Sequence, residues 1–133
     1  MTEKDPLPRR GLRTLFRAAG VVATTAGLDT VIRGARSVPG QTVGSPALES
    51  ELRFYAAFYT AFGLAVLRVA SRADRDTAAV RTLSGALFLA GLARAGGWLL
   101  VGRPHPLQRA LLGIELAVPP AIVAWQARLA TQR

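Results

Sequence analysis

The sequence predicts an all-α protein, a four-transmembrane-helix bundle made of two antiparallel hairpins with the N- and C-termini cytoplasmic. Charged residues gather in short clusters, which separate four long stretches of apolar and small residues. Only 19% of the residues are charged, whereas 50% are hydrophobic. The stretches lack the regularly spaced polar residues that mark the solvent face of a soluble helix. No stretch reaches the ~18 uncharged residues of a typical membrane span, so the prediction rests on their all-round apolarity.

Residues 1–11 are predicted to form a disordered basic arm, because they are polar, contain two prolines and offer little apolar surface to bury. Residues 12–133 are predicted to form one integral membrane domain, whose first helix covers about 12–36. A signal peptide is the alternative, since Arg9 and Arg10 precede an apolar stretch. No clear small-residue cleavage site precedes a soluble domain, so we expect this helix to remain attached.

The second and third helices are predicted from their N-terminal signals. Ser45 can cap a helix, and the proline after it suits the first helical position, which predicts a second helix at about 46–70. A short charged connection follows. Asp76 or Thr77 can then cap a third helix at about 77–101.

The fourth helix is predicted at about 107–129. The preceding Gly102–Pro106 turn cannot continue a helix, because proline lacks an amide donor and restricts the residue before it. Inside the fourth helix, Pro119 and Pro120 should produce a kink and free the backbone carbonyls one turn earlier. A freed carbonyl in a membrane must find a partner or water, so the kink serves either function or packing.

One charged residue interrupts each apolar helix at a similar depth. Counted from the two loops on the same side, each lies about seven or eight residues into its helix, or ~10–12 Å below the surface. A charged side chain inside a membrane costs free energy, so such side chains face the interior of the helix bundle and form ion pairs. We therefore expect one buried polar layer of zero net charge, formed by Asp29, Arg53, Arg94 and Glu115. The layer is either a ligand-binding site or a staple, by which we mean a contact that only fixes helix packing.

Four further residues could surround the mouth of this layer: Tyr55, Tyr59, Trp98 and His105. Packing or lipid contact also explains the two tyrosines, interfacial anchoring explains Trp98, and a solvated turn explains His105. One histidine with scattered carboxylates does not make a metal site, and the glycines form no phosphate loop or dinucleotide fingerprint. We therefore expect no metal and no cofactor. No catalytic residue is assigned, because the spacing shows no nucleophile–base pair.

The net charge of +9 arises largely from 17 basic residues, nearly all of which flank the apolar stretches. Such residues anchor helices at a phospholipid surface, and no aromatic-interleaved basic stripe supports nucleic-acid binding. Membrane lipids are therefore the expected partners, with a protein partner or a homo-oligomer in the membrane as further alternatives. With the N-terminus inside, eleven Lys and Arg residues lie on the cytoplasmic side and five outside, which predicts the cytoplasmic termini.

Several segments resemble those of an uncharacterised bacterial family of small four-helix membrane proteins, a domain of unknown function broadly similar to DoxX-like proteins. The segments are Glu51–Tyr55, Phe62–Leu64, Gly91–Arg94, Gly102–Pro106 and Ile114–Leu116. The resemblance extends over nearly the whole chain from about Leu12. It implies four transmembrane helices in a bacterial plasma membrane with a shared polar centre, but no established activity. Similarity to DoxX-like proteins implies redox-associated roles by analogy alone.

Three classes of function remain open for this chain. The leading hypothesis is a non-enzymatic membrane protein, either a small helical subunit or a binder of a lipid or apolar metabolite around the charge layer. The first alternative is a membrane enzyme acting on an isoprenoid- or quinone-like substrate. In that enzyme Glu115 or Asp29 would be the acid/base, and Arg94 would hold an anionic group. The second alternative is transport of protons or small ions, which requires a water path.

Overall fold

The computed structural model describes residues 7–131, and these residues form four long α-helices. The helices are α1 (Leu7–Arg33), α2 (Pro46–Ala70), α3 (Thr77–Val101) and α4 (Pro106–Thr131), with a short 3-10 helix at Gly34–Ser37 after α1. No strand occurs among the described residues. Each helix is long and apolar enough to cross a membrane, since even the 25 residues of α2 extend ~37 Å against a hydrocarbon core of ~30 Å. The chain is an all-α, multi-pass membrane protein, as the sequence predicts.

The described residues divide into two compact units. One unit joins residues 7–13 to residues 72–131, and we call it the α3–α4 unit because it contains all of α3 and α4 with the first turns of α1. The other unit is Thr14–Ser71. We call it the α1–α2 unit, since it contains the remainder of α1, the 3-10 helix and α2.

The first turns of α1 occupy residues 7–11, which are therefore helical and not part of a disordered arm. The rest of that predicted arm, residues 1–6, lies outside the described residues. A proline in the first turn is tolerated, because the first amides of a helix have no intrahelical acceptor. Leu12 is fully buried, and a Cβ on Gly11 would lie 3.2 Å from the Trp125 ring. These long-range contacts, which local sequence patterns do not reveal, hold the start of the helix in place.

The end of α1 also differs from the prediction, because the α-helix stops at Arg33 and not near residue 36. Gly34 has a φ of 59°, the left-handed conformation in which glycine commonly ends a helix. The chain then continues as the 3-10 helix, after which Val38 N donates to the carbonyl of Ala35 at 3.0 Å.

The N-terminal boundaries of α2 and α3 lie at the residues given by the sequence, and their caps explain why. Ser45 Oγ accepts a hydrogen bond from Leu48 N at 3.3 Å, and Asp76 Oδ1 accepts one from Ala79 N at 3.0 Å. Each cap satisfies an amide that the first turn of a helix would otherwise leave without an acceptor. The start of α4 at Pro106 is one residue earlier than predicted, since proline suits the first helical position.

In the α1–α2 unit, the two helices approach each other through glycines. A Cβ on Gly20 would lie 2.6 Å from Leu67 Cγ, and a Cβ on Gly27 would lie 2.7 Å from Thr60 N. Gly63 on α2 approaches the backbone of α1 in the same way. From Gly20 to Gly27 the chain advances along α1, whereas the residues that they contact move back along α2, from Leu67 to Thr60. The two helices are therefore antiparallel. Small residues let membrane helices come this close, and any side chain at these positions would push them apart.

In the α3–α4 unit, α3 and α4 also run antiparallel. In the half of the pair nearer to the turn that joins them, Gly91 packs against Glu115. At the opposite end of the pair, Gln126 Nε2 donates to Thr77 Oγ1 at 2.6 Å. α4 remains helical through both of its internal prolines, which membrane helices tolerate when nearby groups satisfy the freed backbone.

Large apolar side chains are exposed on all four helices. Near the end of α3, Leu99, Leu100 and Val101 are 87%, 87% and 90% exposed. Extended apolar surface of this kind is unfavourable in water and suits contact with lipid tails. The surface therefore agrees with the membrane-spanning character of the helices.

Candidate functional site

Arg94 on α3 and Glu115 on α4 form a bidentate ion pair, which is the pairing that their matched depth predicts. Arg94 Nε lies 2.8 Å from Glu115 Oε2, and Arg94 Nη2 lies 2.9 Å from Oε1. The Glu115 side chain is 9% exposed and that of Arg94 is 34% exposed. Two parallel, charge-assisted hydrogen bonds make this one of the stronger kinds of polar contact in proteins. The pair therefore connects α3 to α4 at this depth.

Gly91 allows this ion pair to form. It lies three residues before Arg94, so the two residues are neighbours on the same face of α3. A Cβ at Gly91 would lie 2.9 Å from Glu115 Cβ and 3.0 Å from Leu116 Cδ2, closer than side-chain carbons normally approach. A larger residue would therefore move α4 away and draw the carboxylate out of reach of the guanidinium.

The other two residues of the predicted layer, Asp29 and Arg53, each make an ion pair within their own helix. Asp29 Oδ1 lies 3.2 Å from Arg33 Nη1, and Arg53 Nη1 pairs with Glu49 Oε2. The side chains of Asp29 and Arg53 are 44% and 42% exposed. Both pairs join residues four apart, which are neighbours on a helix surface. Asp29 and Arg53 are therefore not paired with each other, and the use of the four residues as one site stays a prediction.

The aromatic residues expected near the mouth of the layer contact other aromatic residues or remain exposed. Tyr55 packs edge-on to Phe54 with ring centroids 5.4 Å apart, and Tyr59 stacks on Phe62 at 6.2 Å. Tyr55 is 63% exposed, whereas Trp98 is 37% exposed. Their surroundings agree with packing or lipid contact.

His105 caps the first turn of α4. Its Nδ1 accepts a hydrogen bond from Leu107 N at 3.2 Å, and its carbonyl accepts from Gln108 N at 2.9 Å. These contacts give the histidine a structural role in the turn. Within residues 7–131, no three side chains of the types that ligate metals come together.

A further ion pair, which the sequence did not predict, joins Arg13 to Asp74 in the α3–α4 unit. Arg13 Nε lies 2.8 Å from Asp74 Oδ1, and Arg13 Nη2 lies 3.1 Å from Oδ2. Asp74 is only 1% exposed. Its burial by itself raises the pKa of the carboxyl, but the hydrogen bonds and charge of Arg13 outweigh burial and hold the pKa below its ordinary value. The pair ties the start of α1 to the connection between α2 and α3.

A largely apolar groove of about 430 Å³ lies between α3 and α4, and we call it the α3–α4 groove. Arg81 is its one charged lining residue, and the complete lining is Arg81, Ser84, Gly85, Phe88, Pro119, Pro120, Val123, Ala124 and Ala127. Arg81 lies nearest the start of α3 and makes no ion pair with any residue in 7–131. Phe88 marks the opposite end. The Arg94–Glu115 pair lies beyond it, since six residues of helix extend ~9 Å.

A second groove, of about 420 Å³, lies at the loop end of the α1–α2 unit, and we call it the α1–α2 groove. It is lined by Ile32, Arg33, Arg36, Val43, Glu49 and Arg53. Of the predicted layer, only Arg53 contributes to it. The other two arginines, Arg33 and Arg36, were expected to be membrane anchors. The loop folds over the ends of its own helices, and no local sequence pattern predicts this.

Comparison with known proteins places the chain in a family but gives it no activity. No curated protein and no solved structure matches it. A family model described as a domain of unknown function (DUF4345) matches residues 11–126, which include the Arg94–Glu115 pair and the α1–α2 groove. The match agrees with the expected membership of an uncharacterised family, whereas similarity to DoxX-like proteins stays a prediction. The chain belongs to the domain-of-unknown-function family DUF4345.

Proposed function

We propose that this chain is a non-enzymatic protein of a bacterial plasma membrane that binds an anionic amphipathic molecule in the α3–α4 groove. One observation carries the proposal. The groove lies between two membrane helices, has almost entirely apolar walls, and ends at an arginine without an ion-pair partner among the described residues. Apolar walls take a hydrocarbon tail, and the Arg81 guanidinium takes an acidic head group.

The size of the groove supports this kind of ligand. Its volume of about 430 Å³ falls within the ~300–1,000 Å³ of typical small-molecule sites. Gly85 lies in the wall, where a Cβ would meet nothing within 4 Å. A glycine that no neighbouring helix needs for close packing leaves room for part of a lipid or an apolar metabolite.

The charged residues support binding over the enzymatic alternative. Both carboxylate oxygens of Glu115 accept hydrogen bonds from Arg94, and Asp29 pairs with Arg33. A general base needs a carboxylate that can reach the substrate's proton. The Arg94–Glu115 pair instead supports the walls of the groove by connecting α3 to α4 beyond its end.

Oleate and oleyl alcohol test the binding, because they share a tail and differ in head-group charge. The purified full-length chain in a mild uncharged detergent should bind oleate more tightly than oleyl alcohol, as measured by native mass spectrometry. Arg81→Gln should weaken oleate binding about fivefold, as expected for an exposed ion pair worth ~1 kcal/mol. The same change should leave binding of the alcohol unaltered.

A matched pair of glycine variants tests whether the groove is the site. Gly85→Leu should fill the groove and remove binding of both probes. Gly97 lies on the same helix, also faces open space, and is not part of the lining. Gly97→Leu should therefore bind both probes normally. Equal binding by the two variants would show that general apolar surface, and not the groove, takes up the amphiphile.

The same proposal includes an orientation with both termini in the cytoplasm, supported by the larger number of arginines on that side. Thr42 lies in the connection between α1 and α2, and Ser71 lies just after α2. In intact cells, a cysteine at Thr42 should react with a membrane-impermeant thiol reagent, and a cysteine at Ser71 should react after lysis alone. The reverse pattern would place the termini outside.

A further inference from the structure

The α1–α2 groove carries an excess of basic groups beside exposed apolar ones. Three of its six lining residues are arginines and one is a glutamate. The two apolar residues, Ile32 and Val43, are 75% and 65% exposed. The groove lies where α1 ends and α2 begins. Membrane helices reach the head-group layer at such ends, because a bilayer of ~40–45 Å contains a hydrocarbon core of only ~30 Å.

Glu49 is already engaged in holding the loop of this groove. Its carboxylate accepts hydrogen bonds from Gly44 N at 3.1 Å and from Ala35 N at 3.3 Å, and it pairs with Arg53. A Cβ on Gly34 would overlap this carboxylate and approach the Arg53 guanidinium. Glu49 therefore fixes the loop and orients Arg53. Its carboxylate is already engaged by these groups of the protein.

The arginines keep hydrogen-bond donors that the described residues do not use. Arg33 is held by Asp29 at 3.2 Å and donates to the carbonyl of Arg36 at 2.9 Å. Arg53 donates through Nη1 alone. The Arg36 side chain makes no ion pair or hydrogen bond with residues 7–131. Since each guanidinium has five N–H groups, Arg36 and Arg53 retain several donors in the groove lining.

The charge of the groove also favours an anion. Asp29 and Glu49 each neutralise one arginine on their own helix. The two carboxylates neutralise Arg33 and Arg53. The charge of the third arginine, Arg36, is therefore not compensated within this group of side chains. Because that charge lies beside an arginine with free donors, an anion with several acceptor oxygens would satisfy both.

We propose that the α1–α2 groove binds a phosphate group. The planar guanidinium fork matches the oxygens of phosphate, and Arg36 and Arg53 together offer more donors than a single carboxylate can accept. The exposed Ile32 and Val43 suit the hydrocarbon next to a phospholipid head group, and a soluble phosphate would use the same two arginines. This site shares no lining residue with the α3–α4 groove.

Three probes separate the possible sources of the phosphate. Dihexanoylphosphatidylglycerol, dihexanoylglycerol and inorganic phosphate are each titrated calorimetrically into the full-length chain in an uncharged detergent at about 0.15 M salt. Phosphatidylglycerol should bind and dihexanoylglycerol should not. Inorganic phosphate that binds as tightly as the lipid would assign the site to soluble phosphate. Much weaker binding of inorganic phosphate would assign it to a head group. The absence of binding by both phosphate probes would overturn the proposal.

Arg36→Gln is the main variant, and Arg103→Gln is its matched control. Both remove one positive charge from an exposed connection, but Arg103 lines neither groove. Arg36→Gln should weaken phosphatidylglycerol binding about five- to tenfold, and Arg103→Gln should leave it unchanged. Equal weakening by both variants would show general electrostatic attraction and overturn the site.

A second variant adds a negative charge to the wall of the groove. Val43 is largely exposed, so Val43→Asp should leave the thermal unfolding of the protein unaltered while reducing phosphate binding by more than tenfold. Unchanged binding in Val43→Asp would contradict the proposal. Arg36→Gln should also retain oleate binding in the α3–α4 groove, so failure of one site is distinguishable from failure of the other.

Discussion

The two units hold their helices together in different ways. In the α1–α2 unit, Gly20, Gly27 and Gly63 each bring one helix against the other, and none could carry a Cβ without overlap. In α3 and α4, only Gly91 makes such an approach. The other glycines of these two helices face open space: Gly85, Gly96, Gly97 and Gly113.

This difference explains why the α3–α4 groove exists. Small residues repeated along a helix pair keep the two backbones close over several turns and leave little volume between them. The close approach at Gly91 with the Arg94–Glu115 pair, and the Gln126–Thr77 hydrogen bond at the other end, fix the separation of α3 and α4 at two depths. Between these depths the two helices leave a groove, and a ligand in the groove can replace the dispersion contacts that the helices do not make with each other.

The largest expected effect comes from breaking the ion pair of the α3–α4 unit. Removing one partner of a buried pair costs ~3–5 kcal/mol, and the partial exposure of Arg94 favours the lower end of that range. Glu115→Leu or Arg94→Leu should therefore each lower the free energy of unfolding by ~3 kcal/mol. Reversible unfolding in detergent, followed by circular dichroism, measures this loss.

The double variant sharpens the same test. Changing Arg94 and Glu115 to leucine together should cost less than the sum of the single changes, because no unpaired ion remains. Simple additivity would show that the two residues do not act as a pair. A stable double variant that still binds oleate would make the pair a staple. Loss of binding in a stable double variant would show that oleate binding depends on the pair.

Glycine-to-alanine changes should have opposite effects on the stability of the protein in the two units. Gly27→Ala and Gly63→Ala force a methyl group into a filled interface and should destabilise the protein by ~1–3 kcal/mol. Gly85→Ala and Gly113→Ala place it in open space and should gain up to ~1 kcal/mol from helix propensity. Similar losses at all four positions would remove the distinction between the units.

The helix boundaries were predictable where the signal is local. Ser45 and Asp76 accept the hydrogen bonds expected of N-terminal caps, so α2 and α3 begin where the sequence places them. The start of α1 depends instead on Leu12 being buried and on Arg13 reaching Asp74, 61 residues away. No local pattern reports such a contact, so the composition gave the wrong prediction for residues 7–11.

The candidate sites also include features that the sequence predicts and features that it does not. The Arg94–Glu115 pair was predictable, because two antiparallel helices joined by a short turn place residues at equal distances from the turn at the same depth. The same count could not foresee that Asp29 would pair with Arg33, four residues away on its own helix. Neither groove was predictable, because the volume depends on how far apart packing holds the helices.

The smallest expected effect is an acid sensitivity in the α3–α4 unit. Despite burial, which raises it, the pKa of Asp74 lies below its ordinary value of 3.8 because of Arg13. The folded state therefore binds this proton less readily than the unfolded state. The pair contributes its full stability above about pH 3.8, and the contribution declines as the pH falls from there towards the lower folded pKa. Asp74→Asn should be ~1.5–2 kcal/mol less stable than the wild type near neutral pH, the lower part of the scale for hydrogen bonds to charged groups, because the asparagine oxygen can still accept one hydrogen bond from Arg13. This difference in stability should narrow as the pH falls below about 3.8.

Hydrogen exchange in peptides of α3 and α4 should report the difference in stability between Asp74→Asn and the wild type. Exchange at the glycine-packed interface between α1 and α2 should not report it. A difference that stays constant from neutral to acid pH would show that the ionised pair is not its source.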